Sequence, residues 1–202
     1  MSVSPPEQPF ATEINSATGF GAGFGAGFAA HYSKTFEAMH GVYQEGSDEL
    51  TALGQASSYE VFSTQQTDLP GALTVGTSVV EPGRIGEEYA LTRGHLHRIE
   101  DRAEMYFGLH GRGVMLLENV EGEVQALEIV PGSMVYVPGG WLHRSVNVGS
   151  DVLVTLFCFS ADSGQNYEIV EQAGGMKKLV VDDGQGGWML KDNPRYVPRA
   201  SS

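Results

Sequence analysis

Gly132-Ser-Met-Val-Tyr-Val-Pro138-Gly-Gly140-Trp-Leu-His143-Arg-Ser-Val-Asn147 is the stretch that decides the fold of this 202-residue chain. It reads as a strand, a Pro-Gly-Gly turn and a returning strand that presents His143. Outward from it, short β-rich runs separated by turn residues recur at 58–64, 72–81, 87–97, 103–109, 114–117, 124–129, 133–137 and 152–160. That spacing predicts an all-β barrel or jelly roll of mostly antiparallel strands rather than βαβ units. Glycines at 119–122, 131–132 and 182–184 predict hairpin turns where φ is positive. The stretch 178–193 reads as one more hairpin, and 194–198 as an ordered tail.

The N-terminal part has another texture. Residues 1–18 are polar, carry Pro5, Pro6 and Pro9, and suit a loosely tethered arm. Gly19-Phe-Gly-Ala-Gly-Phe-Gly-Ala-Gly-Phe28 repeats a four-residue unit whose glycines disfavour a helix while its phenylalanines need apolar cover. No Lys-Ser/Thr follows, so it reads as an irregular packed segment rather than a phosphate-cradling loop. Tyr32, Phe36 and Met39 fall three or four apart and predict a helix over 31–40, with His31 and His40 at its surface or ends. The expected division is an arm and Gly/Phe segment at 1–50, lying on the barrel or on a partner subunit, and a barrel domain at 51–202.

Composition narrows the function classes. A net charge of −13, from 12 Lys and Arg against 25 Asp and Glu, argues against a partner with a phosphate backbone, so no nucleic acid is expected. The single cysteine, Cys158, excludes an internal disulfide; in an apolar run it predicts a buried thiol and suits a reducing cytoplasm. The first residues lack the pattern of an export signal, and no stretch approaches the roughly 20 apolar residues of a membrane span. A soluble, cytoplasmic protein is expected, with no membrane partner.

The chemistry concentrates in four residues. Side chains at i and i+2 of a strand share a face, so His95 and His97 converge by local geometry. Glu104 lies an odd seven residues beyond His97, which requires 98–102 to bend and Glu104 to come from a neighbouring strand. With His143 these make three imidazoles and one carboxylate, a donor set for one divalent Fe, Mn, Ni or Zn ion with positions left open for a substrate oxygen. His110, beside Gly111, reads as a turn residue.

Gly132, Pro138, Gly140, His143 and Asn147 match every fixed position of the second cupin motif. The first cupin motif is met by His95, His97, Glu104 and Gly111, but with a longer gap before Glu104 than most cupins have and with Tyr89 in place of the opening glycine. Thr92-Arg-Gly-His-Leu-His97, Asp101-Arg-Ala-Glu104-Met-Tyr106, Val135-Tyr-Val-Pro138, Trp141-Leu-His-Arg144, Ala161-Asp162 and Asp192-Asn-Pro-Arg195 resemble the cupin-type glucose-6-phosphate isomerase family, over about 59–195. The resemblance implies a cupin jelly-roll β-barrel with an N-terminal extension and a few short helices. It also implies a metal-bound homodimer that interconverts glucose 6-phosphate and fructose 6-phosphate in glycolysis and gluconeogenesis.

Carried over residue by residue, the resemblance puts the metal on His95, His97, Glu104 and His143, and the phosphate on Thr92 and the backbone of Gly94. Tyr59, Ser78 and Tyr167 become neighbours of the sugar phosphate, and Ser78 keeps the hydroxyl of a common threonine. Gln165 stands near the substrate where some members carry a histidine; it can hydrogen-bond but cannot transfer protons near neutral pH. Glu104 and Tyr106 would act at the reacting carbons, either with a base that removes the C2 proton or beside a direct hydride shift. Thr92, three before His95, is expected on the same strand, so a phosphate bound there leaves the sugar reaching toward the metal. Arg93 and Arg144 are further cations beside the site. The same ligands also suit a cupin metal-dependent dioxygenase, which would consume oxygen, and a non-catalytic sugar-phosphate-binding cupin would bind without turnover.

Overall fold

The computed structural model describes residues 13–19, 28–64, 69 and 71–199. Residues 1–12 of the expected arm at 1–18 and 20–27 of the Gly-Phe repeat at 19–28 lie outside them. The strands are β1 (Phe28–Thr35), β2 (Ser57–Thr64), β3 (Leu73–Val80), β4 (Arg84–Ile85), β5 (Glu88–Leu91), β6 (Leu96–His97), β7 (Glu104–His110) and β8 (Gly113–Asn119). They continue as β9 (Val124–Ile129), β10 (Met134–Val137), β11 (Trp141–Asn147), β12 (Leu153–Ser160), β13 (Gln165–Asn166), β14 (Lys178–Asp182) and β15 (Trp188–Asp192). Two short helices, α1 (Ser47–Leu53) and α2 (Glu168–Gln172), interrupt them.

One sheet runs β1-β2-β3-β12-β7-β10 and the other β15-β14-β5-β11-β8-β9, with β4 on β5; β13 and β6 form a small ribbon. The first sheet sends Tyr59, Tyr106 and Phe157 into the core, and the second sends Ala90, Met115 and Leu117 into the same core. Alternation accounts for this, because each strand buries every second side chain against the facing sheet. The expected all-β jelly roll is therefore present. Among the described residues no helix is long and apolar enough to cross a membrane.

Several local expectations change. The stretch 31–40 is not a helix but the edge strand β1, paired to β2 with Tyr32 opposite Val61, followed by a single 3-10 turn at Glu37–Met39. The three-to-four spacing of Tyr32, Phe36 and Met39 is real, yet an available sheet edge supplies backbone partners along the whole strand and outweighs a weak local preference. The turn at 131–132 does not close a hairpin, since β9 belongs to the second sheet and β10 to the first. Cys158 is half-buried rather than buried, because it alternates with the inward-facing Phe157 along β12.

The Pro-Gly-Gly turn likewise crosses from the first sheet at β10 to the second at β11. Its glycines have separate causes. Gly140 has φ of 80°, and a Cβ on Gly139 would stand 2.5 Å from the Glu100 carbonyl oxygen and 2.7 Å from the Asp101 Cα. Backbone cannot yield as a flexible side chain can, so Gly139→Ala is expected to cost about 1–3 kcal/mol by overpacking. Chemical unfolding measures this directly; an unchanged midpoint would show that the 98–103 loop gives way freely.

Candidate metal centre and its cleft

The segment before β6 carries the decisive local irregularity. The Thr92 N–H donates to the Ser145 carbonyl (3.0 Å) and the His95 N–H to the His143 carbonyl (3.2 Å), so Arg93 and Gly94 together stand opposite Arg144 alone. This is a β-bulge, with Gly94 at φ of 76° in the left-handed region that glycine tolerates. On an unbroken strand, residues three apart face opposite ways. The extra residue turns Thr92 and His95 to the same side, and both line one cleft. The expectation of a continuous strand from Thr92 to His95 is corrected by this bulge.

His97 follows on β6, opposite Gln165. Residues 98–103 then loop, and Glu104 opens β7 between Val137 and Phe159 of the adjoining strands. His143 comes from β11 in the facing sheet. One ligand atom from each of His95, His97, Glu104 and His143 lies within 4.8 Å of the others, and all four side chains are buried. Glu104 Oε2 stands 2.9 Å from His143 Nε2, 3.1 Å from His97 Nε2 and 4.0 Å from His95 Nε2.

The hydrogen bonds behind these rings show what the group is built for. The Nδ1–H of His97 donates to the Arg102 carbonyl (2.9 Å) and that of His143 to the Trp141 carbonyl (3.0 Å), which leaves the Nε2 edge of each ring aimed at the carboxylate. His95 Nε2 is buried with no hydrogen-bond partner. Nε2 edges converging on a carboxylate need positive charge among them, and the residues fit a metal ion. Burial alone would raise the Glu104 carboxyl, but hydrogen bonding to the Nε2 edges of His143 and His97, which requires positive charge there, outweighs that and holds it well below the usual range. Burial, then the His143 charge, push His95 well below its ordinary value. An anionic Glu104 and a neutral His95 are the ligand states a metal requires.

A cleft open to solvent adjoins this group. Of the four metal candidates, His95 and Glu104 line it while His97 and His143 lie behind. The other residues singled out in the sequence, Tyr59, Ser78, Thr92, Gly94, Tyr106, Gln165 and Tyr167, are all in its walls. The Ser78 hydroxyl is buried without a partner. The Tyr167 hydroxyl donates to Gln165 Oε1, so the Gln165 NH2 is the end left for a ligand.

Sequence reasoning missed Tyr32, Val61, Ser145, Phe157 and Phe159 in the same walls. Alternation along their strands was the available signal for the last three, and Tyr32 was hidden by the helix expectation. Arg93 is the only Lys or Arg among the described residues lining the cleft; its guanidinium lies 5.4 Å from the Tyr167 ring centre and pairs with Glu171. Arg144 points away and lines a neighbouring cavity instead.

A sequence model of the glucose-6-phosphate isomerase family matches residues 33–197, which contain the whole metal group and every cleft-lining residue except Tyr32. The chain belongs to that family. Among its relatives, Putative glucose-6-phosphate isomerase 1 of Rhizobium meliloti (strain 1021) is 44% identical over 172 residues, covering 83% of this chain and 80% of that one. Glucose-6-phosphate isomerase of Thermococcus litoralis is 34% identical over 192 residues, covering 94% and 97%. A partial likeness to Oxalate Decarboxylase from Bacillus subtilis covers 54% of this chain and 26% of that one, at 20% identity and a TM-score of 0.42.

In this family member the loop behind His97 is fixed by a two-pronged ion pair: the Arg102 guanidinium donates to Asp162 at 2.9 and 2.8 Å. The Arg102 carbonyl, and with it the His97 ring, depends on that clamp. Asp162→Ala is therefore expected to weaken metal binding about tenfold, the lower range for groups that orient a ligand. Competition with a chelator of known affinity measures it, and undiminished affinity would show that the loop holds His97 without the clamp.

Proposed function

We propose that the protein is a metal-dependent glucose-6-phosphate isomerase, interconverting glucose 6-phosphate and fructose 6-phosphate. The observation that carries this reading is the one-sided opening of the metal group: only His95 and Glu104 reach the cleft, whose remaining walls offer hydroxyls, an amide and one guanidinium. Family membership and the names of the relatives support it. A divalent ion held by His95, His97, Glu104 and His143, whether Fe, Mn, Ni or Zn, would supply polarisation of the oxygens on C1 and C2.

The chain's own groups then divide the substrate between them. Thr92 Oγ1 already accepts the Ser145 N–H (3.1 Å), so its O–H is left to donate to a phosphoryl oxygen, beside the unpartnered Ser78 hydroxyl. Tyr59 and the Gly94 backbone complete that end, with Arg93 adding charge. Tyr167 and Gln165 hold sugar hydroxyls. At the reacting end the C2–H and O2–H bonds break and C1–H and O1–H form, so no oxidant is consumed. Glu104 and Tyr106 stand there; burial and then the Glu104 charge keep the Tyr106 phenol protonated and able to donate.

In this reading the chain works in the cytoplasm as a homodimer. Leu73, Phe107, Met134 and Tyr136 are exposed on the outer face of the first sheet, with Met134 opposite Phe107, and suit cover by a second copy. Met134→Lys with Tyr136→Lys is expected to give a monomer in sedimentation; a dimer that persists would place the contact elsewhere.

The activity itself is tested with a coupled assay on both sugar phosphates. Chelation should abolish turnover and an added divalent ion restore it, and Glu104→Gln should lower kcat by about a hundredfold or more, the scale of a lost acid–base group. Full activity in metal-free protein would overturn the reading. Substrate deuterated at C2 separates the two routes: loss of label to water marks removal of a proton by a base, and full retention marks a hydride shift.

A further inference from the structure

Arg144 is a buried cation that touches neither the metal group nor the cleft, and the function proposed above gives it no task. It is 3% exposed, follows the ligand His143 directly, and by strand alternation points to the other face of β11. There its guanidinium donates through Nη2 to the Arg93 carbonyl, while Nε finds no partner. Tucked against Gly94, the side chain is so close that a Cβ there would stand 3.0 Å from Arg144 Nε and 3.1 Å from its Cβ. The buried Glu88 carboxylate acts on its charge, as does Tyr43. A buried arginine with an unpaired N–H is costly, and its one strong bond goes to the bulge that aims Thr92 and His95.

We propose that Arg144 is a positioning residue for the isomerase reaction: it fills the space behind the Arg93–Gly94 bulge and holds the phosphate-facing wall in register with the metal. The mechanism is geometric. Two residues oppose one across this ladder, so the surplus Arg93–Gly94 peptide has no ladder partner, and the Arg144 fork provides one. Without it the bulge can flatten or slide, which moves Thr92 and the Gly94 amide relative to His95. The metal ligands keep their own supports at Arg102, Trp141 and the His95–His143 backbone pair. Loss of Arg144 therefore acts on substrate placement and spares the metal.

The inference rests on the isomerase reading, and the experiment separates the two. Steady-state kinetics and metal content are measured on the metal-loaded full chain and its variants. Arg144→Gln should raise the KM for fructose 6-phosphate about tenfold with kcat changed by about twofold or less, the pattern of lost binding common to ground and transition states. Bound metal per chain should stay unchanged. Arg144→Lys keeps a donor for the Arg93 carbonyl but not the planar fork, and should recover about half of the loss on a logarithmic scale.

Gly94→Ala should also raise KM, and its effect should be smaller in the Arg144→Gln background, because the two residues share one contact. If Arg144→Gln does not fold, Arg144→Lys and Gly94→Ala carry the test unaided. An unchanged KM in an active Arg144→Gln enzyme would overturn the proposal, as would a fall in metal content with KM unaltered. An inactive parent enzyme would instead overturn the isomerase reading.

Discussion

The site depends on one backbone pair. His95 and His143 exchange hydrogen bonds at 3.2 and 3.1 Å, which sets their rings 4.4 Å apart between centres on one face of the ladder. Everything else in the metal group is placed relative to them. His97 follows two residues on, and Glu104 reaches in from the opposite sheet, so the four ligands tie the two halves of the barrel together. Without positive charge the arrangement is unfavourable, since the Nε2 edges of three imidazoles and a carboxylate share a buried space. A bound metal converts that repulsion into cross-linking, and its binding free energy becomes part of the stability of the fold.

Much of this was legible in the residues, and the reason is specific. The motif from Gly132 to Asn147 combines conformational requirements that do not depend on distant packing: Gly140 turns at positive φ, and Gly139 passes against backbone. His-x-His on a strand converges by period alone. What failed to show was tertiary. Tyr32, Phe36 and Met39 carry helical spacing, yet β1 takes the edge of the first sheet because β2 offers partners there. No local signal says that the turns at 131–132 and 138–140 cross between sheets instead of closing hairpins, since a glycine at positive φ serves both.

The bulge is the instructive case. Thr92 and His95 are three apart, and strand alternation separates them onto opposite faces. The reading that placed both near the substrate came from resemblance, not from period. Structure reconciles the two through one surplus residue, Gly94 at φ of 76°. Two neighbouring side chains, Arg93 and Arg144, were equally ambiguous in the sequence, and the same bulge sorts them. Arg93 rides on the surplus segment and lines both the cleft and the neighbouring cavity, whereas Arg144 stays in the regular strand and lines only the latter.

Charge and proton handling then settle onto few groups. A chain with net charge −13 repels a phosphoryl dianion at long range, but salt screens charges beyond a Debye length of about 8 Å, so nearby donors decide binding. Arg93 is the single cleft cation among the described residues, and its pairing with Glu171 moderates its pull. That moderation suits an enzyme that must release as readily as it binds, because the equilibrium it serves has a sugar phosphate on both sides. At the other end, Gln165 can orient a hydroxyl but cannot exchange a proton. The one buried carboxylate in the cleft, Glu104, and the phenol beside it are left as the groups through which a proton at C1 or C2 would pass.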